Sequence, residues 1–266
     1  MALCGPGLGF LPVTLVFVAC STIVTSYIIA IYRGHVVPFF PYISDTGSKS
    51  PESCIFGQFV NISAALALLV MYVRYKLVFS LVGDESRSIR NLNVISMVLA
   101  VFISLGLSMV ANFQETNVEP VHITGAGLVF GLGVLYELMQ TILSYQMNPG
   151  FNGLYICRVR LSISLVSLVA MIITFVAAVI SRSKWDKEPH AHDKFHWSPG
   201  DDGYPAHITS TMGEWVMCIS FLIFYLTYVR DFQKAQLEVS THLRVQHLDE
   251  TPVYTDRADE RTRLLI

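Results

Sequence analysis

Two acidic residues, Glu137 and Glu214, lie inside otherwise apolar stretches and are the first candidates for chemistry. A carboxyl group within a membrane span is energetically costly and usually has a partner, and two neighbouring carboxyl groups can share one proton. Counted from the ends of their segments, the two acids lie roughly 10 Å inside opposite faces of a core about 30 Å thick. We therefore expect no carboxylate dyad. Glu214 alone could pair with His207 or His122, which enter from the same side.

A second candidate is the histidine run His190-x-His192-x-x-x-His196, which has metal-like spacing and includes Asp193. Surface loops often carry such runs by chance, so we expect neither a metal nor a cofactor. Protonation of these histidines in an acidic compartment is the alternative. The five cysteines are scattered and show neither a disulfide framework nor a zinc pattern. The net charge of -2 indicates no nucleic-acid partner.

A polar segment, Pro38–Ser53, interrupts the apolar first half of the chain and must be held by the elements around it. Its prolines stiffen an extended backbone. The Asp-Thr-Gly sequence predicts a turn, and the Ser-Pro-Glu sequence after it predicts a helix start. We therefore predict a shaped loop that leads into a helix. Its candidate functional residues are Pro41, Tyr42, Ser44, Asp45 and Gly47.

The composition predicts a membrane protein. The chain of 266 residues is 53% hydrophobic and only 14% charged, whereas soluble domains carry about 25% charged residues. A helix that crosses the bilayer needs about 20 apolar residues, and six segments qualify: 10–32, 54–73, 94–111, 123–144, 161–180 and 208–229. The predicted fold is an all-α, polytopic membrane protein with six transmembrane helices embedded in a lipid bilayer. In the fourth segment, Gly127-x-x-x-Gly131 is typical of a close helix–helix contact.

Basic residues collect in the connections after the second and fourth segments, which include Arg74 and Arg160, and beyond the sixth. Because basic loops stay on the cytosolic side, both termini are predicted to be cytosolic, and the Pro38–Ser53 loop lumenal or exterior. Residues 1–230 would form the membrane domain. Residues 231–266 would form a tail, amphipathic at first and then disordered. Near its end, Glu260, Leu264 and Leu265 have the spacing of an acidic dileucine signal, which a clathrin adaptor reads.

Several short motifs, taken in order, resemble those of the DRAM family of autophagy modulators. They are PYISDTG (41–47), PES (51–53), YVRYK (72–76), ANFQ (111–114), QTILSYQM (140–147), HW (196–197), EW (214–215), LTYVRDFQK (226–234) and ERTRLL (260–265). The resemblance implies six spans in lysosomal or late endosomal membranes, with the plasma membrane as a further location. It also implies a positive role in autophagy and a link to cell death, but no agreed biochemical activity. The polar positions that match the family are Asn61, Asn112, Gln114, His122, His207, Glu214 and Trp215, while an apolar residue is usual where Glu137 stands.

The leading hypothesis is a non-enzymatic regulator that contacts trafficking or autophagy proteins. One alternative is a small-molecule transporter or channel, with Glu214, His122 and Asn112 lining a polar pocket. Another is a lipid-modifying enzyme, which the wider superfamily suggests. A closed bundle favours the first, a continuous aqueous path the second, and a lipid-sized cavity with clustered polar groups the third. We further expect Asn112, His122, His207 and Glu214 to lie together at the lumenal ends of their helices, since each needs a partner there.

Overall fold

The computed structural model describes residues 7–82, 86–187 and 193–235. Within them the chain forms seven α-helices and no strand. The helices are α1 (Phe10–Arg33), α2 (Glu52–Val82), α3 (Arg87–Asn112), α4 (Glu119–Gln146), α5 (Leu154–Trp185), α6 (Tyr204–Leu226) and the short α7 (Val229–Phe232). A single 3-10 turn, Asp45–Gly47, lies in the loop between α1 and α2. His190, His192 and the proposed sorting residues Glu260, Leu264 and Leu265 lie outside the described residues.

The six long helices are each long and apolar enough to cross a membrane, which confirms the predicted fold class. Their outer faces carry large exposed apolar side chains, such as Phe17 and Phe175, both 71% exposed. Such side chains suit contact with lipid tails and not with water. Helices consecutive in the chain pack against each other, and α1 also contacts α6 and α7. We call the end of the bundle that carries residues 38–53 the loop end, and the opposite end the α7 end.

Most helices extend beyond the apolar segments predicted for them. α2 continues to Val82 and α5 begins at Leu154, so Arg74 and Arg160 lie within helices. Both arginines are also fully buried. The prediction that these arginines lie in connecting loops is therefore wrong. Hydropathy marks only the apolar part of a helix, whereas a charged residue can remain inside it when a partner neutralises the charge.

The backbones of α3 and α4 approach each other closely, and the contact involves glycines other than those predicted. A Cβ atom added at Gly125 would lie 2.9 Å from the carbonyl oxygen of Gly106, and one at Gly106 would lie 2.8 Å from that of Gly125. Gly127 and Gly131 are exposed and have no neighbouring atom within 4 Å of an added Cβ. The predicted contact motif is therefore wrong, because glycine spacing permits close packing without saying which face of the helix is packed.

The hydrophobic core lies towards the α7 end. It joins the first turns of α1 with the second half of α2 and with the end of α6, and includes Leu11, Val70, Phe224, Tyr228 and Phe232. Tyr228 and Phe232 are completely buried and stack with 5.7 Å between ring centroids. The segment around α7 thus packs as part of the bundle, although the predicted tail starts at residue 231.

Candidate functional site: two polar clusters and a cavity

The loop of residues 38–53 forms hydrogen bonds with three side chains of α6. Glu214 accepts a hydrogen bond from the backbone amide of Ile43 (3.1 Å), and the Trp215 indole donates one to the carbonyl of Pro41 (2.9 Å). The Tyr42 hydroxyl donates to Ser210 (2.7 Å). We call these contacts the loop clamp. They place the predicted residues Pro41 and Tyr42 directly against the predicted residues Glu214 and Trp215.

The partner of Glu214 is therefore a backbone amide, and neither His207 nor His122 fills the pairing role that the sequence suggested. His207 stacks on Trp197, with 4.4 Å between centroids and 8° between planes, and meets Tyr42 edge-on at 5.3 Å. His122 is within hydrogen-bonding distance of the Phe113 carbonyl, 2.8 Å from its Nδ1. His207 thus packs between aromatic side chains, and His122 lies against the residue that follows α3.

The 3-10 turn of the loop is buried. Asp45 and Gly47 lie below the surface, and the Thr46 hydroxyl is 3.1 Å from the Ser26 hydroxyl of α1. Burial raises the pKa of Asp45 above its usual range, and the nearby acids Glu115 and Glu214 raise it further, against the opposing effect of Lys194. Ser44, the remaining predicted loop residue, borders the cavity described below.

The other predicted polar residues belong to separate contacts. Asn61 of α2 donates to Asn112 of α3 (3.1 Å) and accepts from Ser108 (2.8 Å). Gln114 accepts from Asn117 in the α3–α4 turn (3.0 Å). We expected a single polar cluster, but the hydrogen bonds form three separate sets. These are the bonds among Asn61, Ser108 and Asn112, the bond in the α3–α4 turn, and the loop clamp. Equal depth in the membrane fixes a residue along the bundle axis, but not around it.

At the α7 end, two completely buried arginines share one carboxylate. Asp231 of α7 accepts hydrogen bonds from Arg74 (3.0 Å) and Arg160 (2.7 Å), and from the Asn152 amide at 3.3 Å. Both guanidinium groups also lie over the ring of Tyr228, at 5.2 and 4.9 Å from its centroid. We call this group the arginine–aspartate cluster. It ties α7 to α2 and α5.

Sequence reasoning missed this cluster. Arg74 and Asp231 occur in the two motifs YVRYK and LTYVRDFQK, which the resemblance singled out separately, and here they are joined. Arg74 also donates to Gln140 (3.1 Å) and Arg160 to Ser144 (2.7 Å), so the motif QTILSYQM contributes as well. The sequence does contain a signal for the cluster. Asp231, Arg74 and Arg160 each lie just outside a predicted span, at the same predicted depth.

Between the two ends lies a cavity of about 170 Å³, lined by α1, α2, α3, α4, α6 and the loop. Its wall is mostly apolar, and both intramembrane acids border it. A Cβ atom added at Gly133 of α4 would lie 2.8 Å from the ring of Phe221 of α6, so these two residues lie side by side. Glu137 is four residues beyond Gly133 and Glu214 is seven residues before Phe221, which places the two acids about 16 Å apart along the bundle. Two carboxyl groups at that distance do not share a proton. Among the described residues, no three His, Cys, Asp or Glu side chains are grouped to hold a metal ion.

Comparison with known proteins adds the family. The model of the Frag1/DRAM/Sfk1/Cwh43P N-terminal domain matches residues 7–235. DNA damage-regulated autophagy modulator protein 2 of Homo sapiens is 42% identical over 97% of this chain and 96% of its own length, and that of Mus musculus is 44% identical over 97% and 96%. Modulator protein 1 of Homo sapiens is 40% identical over 89% of this chain and 96% of its length. No solved structure matches. The chain therefore belongs to the DRAM family of multi-pass membrane proteins.

Proposed function

We propose that this protein modulates autophagy from the membrane of lysosomes or late endosomes, in a positive sense and with a link to apoptosis. The observation that carries the proposal is similarity over nearly the whole chain to proteins named as DNA damage-regulated autophagy modulators. The similarity covers both the membrane helices and the chain beyond them. In this proposal both termini face the cytosol and residues 38–53 face the lumen.

The proposed mode of action is non-enzymatic contact with trafficking or autophagy proteins. The geometry supports it, because polar side chains at both ends of the bundle form hydrogen bonds within the protein. Glu214 and Trp215 are occupied in holding the loop, and Arg74, Arg160 and Asp231 in holding α7. Such bonds brace two surfaces, one on each side of the membrane, on which other proteins could dock.

The proposed address is the acidic dileucine sequence of the tail. A clathrin adaptor would capture Leu264 and Leu265 as an extended peptide, with Glu260 as a charge at the required spacing. Burial of a leucine contributes about 1.5–3 kcal/mol, and two such leucines supply a large share of a micromolar interaction of about 8 kcal/mol.

A loss-and-rescue experiment tests the function. Cells that lack the chain are compared with cells re-expressing it at native level, and autophagic flux is measured as the turnover of autophagosome membrane marker that a lysosomal inhibitor blocks. We expect lower flux without the chain and recovery with the wild type. Asp202→Asn, which alters an exposed acid, is the matched control and should restore flux fully. Equal flux with and without the chain, under starvation and DNA damage alike, would contradict the proposal.

A further inference from the structure

The cavity between the two clusters is long and narrow. On α4 its wall runs from His122 to Glu137, fifteen residues that span about 22 Å. The wall between them includes small or apolar residues such as Val129 and Gly133. An apolar cavity of about 150 Å³ is large enough to bind a small hydrocarbon instead of water. A volume of about 170 Å³ spread over this length therefore has the width of one hydrocarbon chain and not of two.

Glu137, at one end of this cavity, lacks what a buried carboxyl group normally has. Its side chain is 3% exposed, and neither oxygen has a hydrogen-bond partner of normal geometry among the described residues. Ser167 of α5 lies near Glu137, and its hydroxyl likewise has no partner of normal geometry in the described part of the chain. Ser63, further along the wall, is a third buried polar group for which the described residues offer no partner.

An unpartnered carboxyl group inside a membrane bundle is costly, and buried polar groups in proteins are nearly always satisfied. A water molecule bridging Glu137 and Ser167 would satisfy these two groups, but it would leave the apolar remainder of the cavity unfilled. The bilayer, in contrast, contains molecules that carry a hydrogen-bond donor at one end of an apolar chain. Such a molecule would satisfy Glu137 and fill the cavity at once.

We propose that this cavity binds a single-chain lipid whose amino or hydroxyl group donates a hydrogen bond to Glu137. Its chain lies along α4 and α6 and ends near Ile43 under the loop. An ionised fatty acid is disfavoured, because its carboxylate has no hydrogen to donate to Glu137. A lipid with two chains exceeds the width of the cavity. The proposal concerns binding and not catalysis, and the binding would be measurable whether or not the chain modulates autophagy.

Photolabelling of the purified full chain in nanodiscs tests the proposal. Three probes of equal chain length carry the same photoreactive group and end in an amine, a hydroxyl or a carboxylate. We expect the amine or the hydroxyl probe, or both, to label α4 and α6, and the stronger of the two identifies the head group. An excess of the corresponding unlabelled lipid should abolish the labelling. Labelling by the carboxylate probe equal to that by the others, or labelling confined to outward-facing residues, would overturn the proposal.

Variants of α4 sharpen the test. Glu137→Leu removes the acceptor and should lower labelling at limiting probe roughly fivefold, the factor that a typical net hydrogen bond is worth. Val129→Phe fills the cavity and should lower labelling to a similar extent. Leu135→Phe is the matched control, because Leu135 is 44% exposed on the outer side of the same helix. Equal labelling of wild type and Glu137→Leu would overturn the proposal.

A cavity thiol gives a readout on the wild-type protein that does not depend on any variant folding. Cys218 of α6 borders the cavity, whereas Cys54 at the start of α2 is exposed. Because a buried thiol reacts slowly, alkylation is run at an alkaline pH at which a small apolar thiol reagent modifies Cys218 of the lipid-free protein. The lipid that labels the protein should slow that reaction and leave the rate at Cys54 unchanged. Alkylation of Cys218 at the same rate with and without saturating lipid would contradict binding in this cavity.

Discussion

The arginine–aspartate cluster allows a prediction whose size follows from the count of its charges. Two guanidinium groups, both completely buried, share the carboxylate of Asp231, which is 5% exposed. Asp231→Asn keeps the shape of the side chain but removes the negative charge. Arg74 and Arg160 would then be two buried positive charges without a carboxylate partner, close enough to contact the same ring.

Breaking a buried ion pair by removing one partner costs about 3–5 kcal/mol, because the remaining charge stays buried. A domain has about 5–15 kcal/mol of stability in total, so Asp231→Asn should remove a large share of it. Arg74→Met should cost less, because Arg160 and Asp231 remain as a balanced pair 2.7 Å apart. The cost of that change, about 1–3 kcal/mol, comes from the unsatisfied acceptor left on Gln140.

Thermal unfolding of the purified full chain in a mild detergent measures these differences. At about 2–4 °C per kcal/mol for a chain of this size, Asp231→Asn should lower the midpoint by roughly 6–20 °C. The matched control is Asp202→Asn, because Asp202 forms a comparable bond with Lys184 (2.9 Å) on the exposed surface, and it should leave the midpoint unchanged. The reasoning would be refuted if Asp231→Asn unfolded at the same temperature as the wild type, or if Arg74→Met lowered the midpoint more. Charge pairing with Asp231 would then not be what holds α7 in place.

Three further predictions concern other parts of the chain. Gly125→Ala should destabilise the bundle, because its Cβ would lie 2.9 Å from the α3 backbone, while Gly127→Ala should be neutral; unfolding midpoints that do not separate the two would refute this. Since burial raises the pKa of Asp45, the folded loop holds its proton more tightly than the unfolded chain does, so loop stability should fall as pH rises from the ordinary pKa of an aspartate towards the raised value. Hydrogen exchange in residues 41–47, corrected for intrinsic rate, should therefore be slower in acid than at neutral pH, and Asp45→Asn should remove most of that difference. Replacing Leu264 and Leu265 with alanine should raise the amount of protein at the cell surface, measured by biotinylation, without changing the unfolding midpoint, and a fully lysosomal double variant would contradict the proposed address.

The six helices could be predicted from the sequence because an uninterrupted run of about 20 apolar residues has one favourable environment, the bilayer core. The ends of the helices could not. A charge normally marks where a span leaves the membrane, but Arg74 and Arg160 remain inside their helices because both pair with Asp231, which is far away in sequence. No local pattern contains that information.

The structure shows where several of the candidate residues lie and what they contact, but their grouping could not be predicted. Composition and depth indicate that Glu214 needs a partner, yet the donor is the backbone amide of Ile43, which lies 171 positions earlier in the chain. A backbone amide leaves no mark in the sequence. The same limit applies to the cavity, since an internal space depends on how five helices and a loop pack together.

The central claim is that this protein acts from the lysosomal membrane through contacts made on its cytosolic side. Proximity labelling in living cells tests it most directly, with the labelling enzyme fused after Ile266 in one line and inserted after Lys49, in the loop, in a matched line. The account predicts that the Ile266 fusion, expressed at native level, labels cytosolic trafficking and autophagy proteins at lysosomes and that the loop insertion labels lumenal proteins. Label from the Ile266 fusion that is confined to lumenal or extracellular proteins would contradict it.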